Sequence, residues 1–156
     1  MKNLMKTIGA LLMIITFAQN SNAQTSVGGG LTFFNHKGGS DFGLNLKAGF
    51  GLNETMEISP SFNYYFVDGY TAFDINADFH YLFGDEGSFR FYPLAGVNFY
   101  RSSTNGFSNS EIQLNIGGGI KYPLNDNMNL FGEGKYMIGD VDGLVFSAGI
   151  LFSIGG

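Results

Sequence analysis

The sequence contains no cysteine, which excludes disulfides and thiolate metal sites. Charge is scarce too. Asp, Glu, Lys and Arg make up 13% of the 156 residues, about half the share with which a soluble domain coats itself. Beyond Ala23 no stretch reaches about 18 consecutive apolar residues, so a transmembrane helix is excluded. Basic residues are outnumbered, 8 against 13 acidic ones, leaving no cationic surface for nucleic acid or for an anionic ligand. Proline occurs three times, at Pro60, Pro93 and Pro123.

What is present is apolar: 44% hydrophobic residues, 16% aromatic, and 24 glycines. Apolar wealth without apolar runs means that apolar residues are interleaved with others. That is how a membrane β-barrel reads. The first 23 residues stand apart as an address. Lys2 and Lys6 form a positive start, residues 7–18 an apolar run too short to span a bilayer, and Ser21-Asn22-Ala23 a small-residue cleavage site. Residues 1–23 are therefore expected to be a signal peptide for Sec-type export, and residues 24–156 a single barrel domain. Without Lys2 and Lys6 the balance is six cations against thirteen anions, a net charge of −7.

The dominant period after Ala23 is two. In Phe42-Gly43-Leu44-Asn45-Leu46-Lys47-Ala48 every second residue is apolar, and Phe73-Asp74-Ile75-Asn76-Ala77-Asp78-Phe79-His80-Tyr81 repeats the pattern. Successive side chains of a strand point to opposite faces, so such alternation predicts strands. Eight are expected, over about 26–35, 41–52, 57–67, 71–83, 88–100, 111–123, 128–138 and 144–154. The turn-rich stretches between them imply an antiparallel meander. At about 10–13 residues these strands exceed the 5–6 typical of soluble sheets and match a tilted crossing of hydrocarbon. The fold class is all-β, an eight-stranded antiparallel up-and-down transmembrane barrel.

Volume decides which face is outside. Roughly 40 apolar side chains, many aromatic, cannot fit in an eight-stranded interior that side chains barely fill. The other face carries small and polar residues, among them Gly43, Gly49, Gly96, Gly117, Gly119 and Gly149, so the apolar face points outward. Phe33, Tyr64, Phe66, Phe73, Phe99 and Phe146 sort to one rim. Phe50, Phe79, Tyr81, Phe83, Phe89, Phe91, Tyr122 and Phe152 sort to the other, giving two interfacial belts. The three prolines fall toward one rim, where they read as kinks or bulges. With a periplasmic N-terminus, turns 53–55, 84–87 and 125–127 face the periplasm. Loops 36–40, 68–69, 101–110 and 139–143 then face outward, and 101–110 is the long one.

Segments such as Gly96-Val97-Asn98-Phe99-Tyr100 and Gly117-Gly118-Gly119-Ile120-Lys121-Tyr122 are similar to strands of the small outer-membrane barrel family that includes OmpX, OmpW and the transmembrane domain of OmpA. The resemblance is one of pattern over the whole of residues 24–156. It implies a Gram-negative outer-membrane location, contact with outer-membrane lipids, insertion by the barrel-assembly machinery and a monomeric state. The family usually ends on an aromatic residue, whereas here Ile154-Gly155-Gly156 follows Phe152.

The inward face holds the residues that could carry chemistry: Lys47, Asp74, Asp78, His80, Arg90, Lys121, Glu133 and Lys135, set among Asn45, Asn63, Asn76, Asn98, Gln113 and Asn115. A plug of ion pairs and amides is the expected arrangement, because a narrow interior obliges buried charges to pair. A narrow porin-like path for ions, water or small solutes is one alternative, and a soluble periplasmic barrel binding an apolar ligand is another. No cofactor, metal site or catalytic set is expected. Two histidines, His36 in an outer loop and His80 in the lumen, are too few donors for a metal, no Ser-His-carboxylate set is found, and the acidic residues of the turns read as solvated caps. The expected role is structural or surface-interacting, without enzymatic activity.

Overall fold

The computed structural model describes Asn3, residues 24–85 and residues 87–154. The expected signal peptide, Asn3 aside, lies outside the described residues. Alternation resolves into β1 (Thr25–His36), β2 (Gly39–Gly51), β3 (Met56–Val67), β4 (Tyr70–Tyr81), β5 (Arg90–Thr104), β6 (Phe107–Asn125), β7 (Met128–Ile138) and β8 (Gly143–Ser153). Each strand pairs antiparallel with the next, and β1 pairs with β8, which closes an up-and-down barrel. Every crossing is made by one strand and one short connection, as the period-two pattern demands.

An even strand number brings both ends of the barrel to one rim, called here the terminal rim. The connections 52–55, 82–89 and 126–127 lie there, and 37–38, 68–69, 105–106 and 139–142 lie at the far rim. Three far-rim connections are two-residue turns. In the Asn105-Gly106 turn the glycine takes φ +85°, a conformation that L side chains resist.

Burial alternates with the sequence. Asp74 and His80 are fully buried, while Ile75 and Phe79, one residue on or back along the same strand, are 41% exposed. On the outer face, register lines up Phe146, Phe33, Phe42 and Phe66 across four strands near the far rim. Near the terminal rim Phe83 stacks on Phe91 at 5.0 Å.

Two expectations are corrected. Residues 101–110 are not a loop: β5 and β6 run on past the rim as a paired ribbon, with Arg101↔Ser110 through Thr104↔Phe107 in register. Ser, Thr and Asn dominate this stretch because the ribbon stands clear of the filled bore, so the apolar alternation stops although the ladder does not. The prolines also differ among themselves. Only Pro123 sits at a register shift. Pro60 falls where the β2–β3 ladder skips between Lys47↔Ser61 and Phe50↔Ile58, and Pro93 falls where the β4–β5 ladder stops at His80↔Leu94.

Candidate functional site

The inward positions of all eight strands fill the barrel in layers. Nearest the far rim, Phe34, Tyr65, Ala72, Tyr100, Met137 and Val145 form a buried apolar layer, with Val67, Tyr70 and Val141 packed on it. The Phe34 ring lies 5.6 Å from that of Tyr65 and 6.1 Å from that of Tyr100, so aromatic edges meet across the bore. At the rim above, His36 Nε2 lies 2.9 Å from Asp41 Oδ2, while its Nδ1 accepts from the Gly38 N–H. A ring held this way offers no free nitrogen to a nucleophile.

Below the apolar layer comes an amide layer built around Asp74. This carboxylate accepts from Tyr65 Oη at 2.6 Å, Asn76 Nδ2 at 2.6 Å and Asn63 Nδ2 at 2.9 Å. Asn45 donates on to Asn63, and Asn98 and Asn115 donate to Asn76. A buried anion is tolerated here because neutral donors on three sides replace its hydration. Asp78, four residues along, accepts from Asn115 and from Lys135 Nζ at 2.8 Å, which ties the amides to the ions.

The ionic layer follows. Lys47 Nζ donates to Glu133 Oε2 at 2.7 Å, and Tyr92 Oη donates to the same oxygen at 2.7 Å. Lys121 Nζ donates to both oxygens of Glu57 at 2.7 Å. His80 lies between the two acids, with Nδ1 3.1 Å from Glu57 and Nε2 3.8 Å from Glu133, and its ring stacks on Tyr92 at 4.2 Å. Lys47 also lies over the Phe131 ring. Toward the terminal rim the bore widens into an open vestibule of about 920 Å³, lined by Glu54, Glu57, Arg90, Lys121, Asp126 and Leu151 among others.

Seven of the eight sequence-stated positions, Lys47, Asp74, Asp78, His80, Lys121, Glu133 and Lys135, are brought into this interior and are buried. Arg90 is not joined to them. Its guanidinium donates to the Glu54 carbonyl at the mouth of the vestibule. Sequence reading passed over Glu57, the partner of Lys121. Its signal was available, since Glu57 shares the parity of Ser59, Ser61 and Asn63, all buried. Three lysines therefore face four carboxylates, with His80 among them. Tyr65, Tyr92 and Tyr100 were also passed over, because aromatics in this chain suggest belts. Their hydroxyl-bearing rings turn inward and fill the bore where small residues would leave voids.

Chemically the arrangement is a set of paired ions and donating amides, in which His80 Nε2 and the amide oxygens of Asn45, Asn98, Gln113 and Asn115 are buried without a hydrogen-bond partner. Among the described residues no group of three or more His, Cys, Asp and Glu side chains is placed to hold a metal ion. Glycine makes the crowding possible. A Cβ on Gly119 would stand 2.5 Å from Tyr92 Cζ and Oη, so the tyrosine can reach Glu133 only because position 119 is bare.

No family model matches the chain, and no curated protein does. Solved structures do match it in shape. The outer membrane protein OprG from Pseudomonas aeruginosa superposes with a TM-score of 0.71 at 14% identity, over 89% of this chain and 99% of that one. Neisserial surface protein A gives 0.68 at 18% identity, over 86% and 98%. The N-terminal β-barrel domain of Pseudomonas aeruginosa OprF gives 0.66 at 20% identity, over 86% and 98%. Closure, strand number, strand order and these superpositions agree: the chain has the fold of the small eight-stranded outer-membrane barrels.

Proposed function

We propose that this chain is an integral outer-membrane protein of a Gram-negative cell, exported by a signal over residues 1–23, with a side-chain-plugged lumen and a structural or surface-interacting role. The observation that carries this reading is the outer wall. From Phe42 to Leu52, Ile58 to Phe66, Phe73 to Phe83 and Leu114 to Leu124 the outward residues are apolar, aromatic or glycine, and none is charged. Leu46 is 63% exposed and Phe66 58%, in a patch that encircles the molecule. Water-soluble monomers keep such patches to a few hundred Å². The outward row of β2 spans about ten steps of ~3.4 Å, which at a tilt of ~40° covers about 26 Å, close to the ~25 Å apolar band of membrane barrels.

Lipid is then the partner of the wall, the barrel-assembly machinery its partner during insertion, and a monomer the working state. The filled interior speaks against a wide pore, and the pairing of Lys47, Lys121 and Lys135 with Glu133, Glu57 and Asp78 speaks against catalysis. The vestibule favours one second reading, a narrow path for water or ions entered from the terminal rim. Carbonate washing of expressing cells, followed by gel electrophoresis with and without boiling, tests the first reading. Retention in the membrane pellet and a faster-running unboiled band are expected. Release into the wash with no mobility shift would favour a soluble periplasmic barrel.

A further inference from the structure

At the far rim the hydrogen-bonded circuit leaves a strand edge open. The β6–β7 ladder begins only at Leu114↔Ile138, whereas β6 itself starts at Phe107 and pairs with β5 from there to Lys121. Residues 107–113 thus pair on one side alone. In an antiparallel strand successive residues turn their N–H and C=O groups to alternate sides, so about every second residue of this stretch presents both groups to the open side. Side-chain exposure records the same gap. Ile112 is 81% exposed, against 57% for Leu114, the next outward residue on β6, which has Ile138 beside it. Phe107, at the ribbon tip, is 80% exposed. Open backbone cannot lie in hydrocarbon, and the outward residues beyond Ile112, Ser108 and Ser110 with Arg101 and Ser103 on β5, are polar as a position above the lipid requires.

We propose that this edge is a docking site for an extended, basic polypeptide segment, which adds to β6 as a further strand outside the membrane. The backbone supplies the attraction for an extended chain, as in strand addition generally. Charge selects its sign. Glu111 lies within the free stretch, and its carboxylate accepts from the neutral amide of Gln113. The β7–β8 connection, 139–142, starts beside the edge, since a Cβ on Gly139 would stand 2.6 Å from Gln113 Cγ. That connection carries exposed Asp140, while its half-buried Asp142 already accepts from Tyr136 Oη at 2.9 Å. An incoming strand with Lys or Arg on the Glu111 face and β-branched residues on the Ile112 face meets opposite charge on one side and apolar surface on the other. This site rests on the reading that the barrel stands in a membrane with its far rim in water, but its test is separate.

The test uses the full barrel in lipid nanodiscs and synthetic peptides of about twelve residues. One alternates Lys and Val, one alternates Glu and Val, and two are N-methylated forms of the Lys–Val peptide with the methyl groups on one or the other set of alternate residues. The readout is amide hydrogen exchange by NMR. The Lys–Val peptide is expected to slow exchange within residues 107–113. One N-methylated isomer should abolish that protection while the other keeps it, because only one set of amides faces β6. Glu111→Lys combined with Asp140→Lys should weaken Lys–Val binding about tenfold and admit the Glu–Val peptide. Binding indifferent to both methylation patterns would mean that charge alone attracts the peptide, and the proposal would fall. No protection at residues 107–113 overturns it as well. Protection there that rises with barrel concentration, without peptide, would assign the edge to a second copy of this chain instead. A barrel that does not enter nanodiscs contradicts the membrane reading before the edge is probed.

Discussion

At the residue scale, the interior is held by a few side chains that each serve several partners. Glu133 is the clearest: it takes Lys47 and Tyr92 directly and lies within 4 Å of His80 and Lys135. Removing one member of a buried ion pair costs more than the pair is worth, because the survivor is left charged and dry. Glu133→Ala is therefore expected to destabilise the barrel by about 3–5 kcal/mol, read as a lower urea midpoint in detergent micelles. Asp68→Asn, in an exposed turn, should leave the midpoint where it was. Equal midpoints for the two variants would mean that the ions are incidental filling. Much of this layer is legible in the sequence from parity alone, since Lys47, Asp74, Asp78 and His80 stand at alternate positions in clear strands, whereas Gly132 and Gly134 blur the alternation around Glu133. Who pairs with whom is not legible. Lys47 reaches Glu133 from β2 to β7 across the bore, and that partnership depends on closure rather than on neighbouring strands.

At the element scale, the strands are dictated by alternation, and their irregularities by the few residues that cannot join a ladder. Pro60 has no N–H to give to Ala48, the residue that register places opposite it. The neighbouring Ser59 hydroxyl donates to the Ala48 carbonyl at 2.8 Å instead. Ser59→Ala is expected to cost about 1–2 kcal/mol with Pro60 in place, and less once Pro60→Ala restores a backbone donor. A double-mutant cycle on urea unfolding measures the coupling, and additive effects would show that the hydroxyl does not substitute for the missing amide. The same scale explains what sequence reading got wrong. Alternation signals a strand only where the two faces meet different surroundings. The β5–β6 ribbon has water on both, so a stretch of Ser, Thr and Asn looks like a loop while it holds four register pairs beyond the rim.

At the scale of the whole molecule, the outer band and the filled bore follow from one constraint. An interior this narrow forces the bulky apolar residues outward, and what remains inside must be small, paired or stacked. The apolar layer of Phe34, Tyr65, Tyr100, Met137 and Val145 closes the far end of the bore. Planar-bilayer recordings are accordingly expected to show no discrete conductance steps. Steady single-channel steps would favour the narrow-path reading and would require this layer to open.

The face assignment underlies everything else, and the absence of native cysteine makes it directly measurable with single-cysteine reporters. Leu46→Cys, Phe79→Cys and Ser108→Cys, each labelled with an environment-sensitive fluorophore in bilayers containing brominated acyl chains, separate lipid from water in one experiment. Labels at positions 46 and 79 should be blue-shifted and strongly quenched by the brominated lipid, and the label at position 108 should be unquenched and open to water-soluble quenchers. Labels at 46 and 79 that escape lipid quenching and respond to the aqueous quencher would contradict a lipid-facing apolar wall.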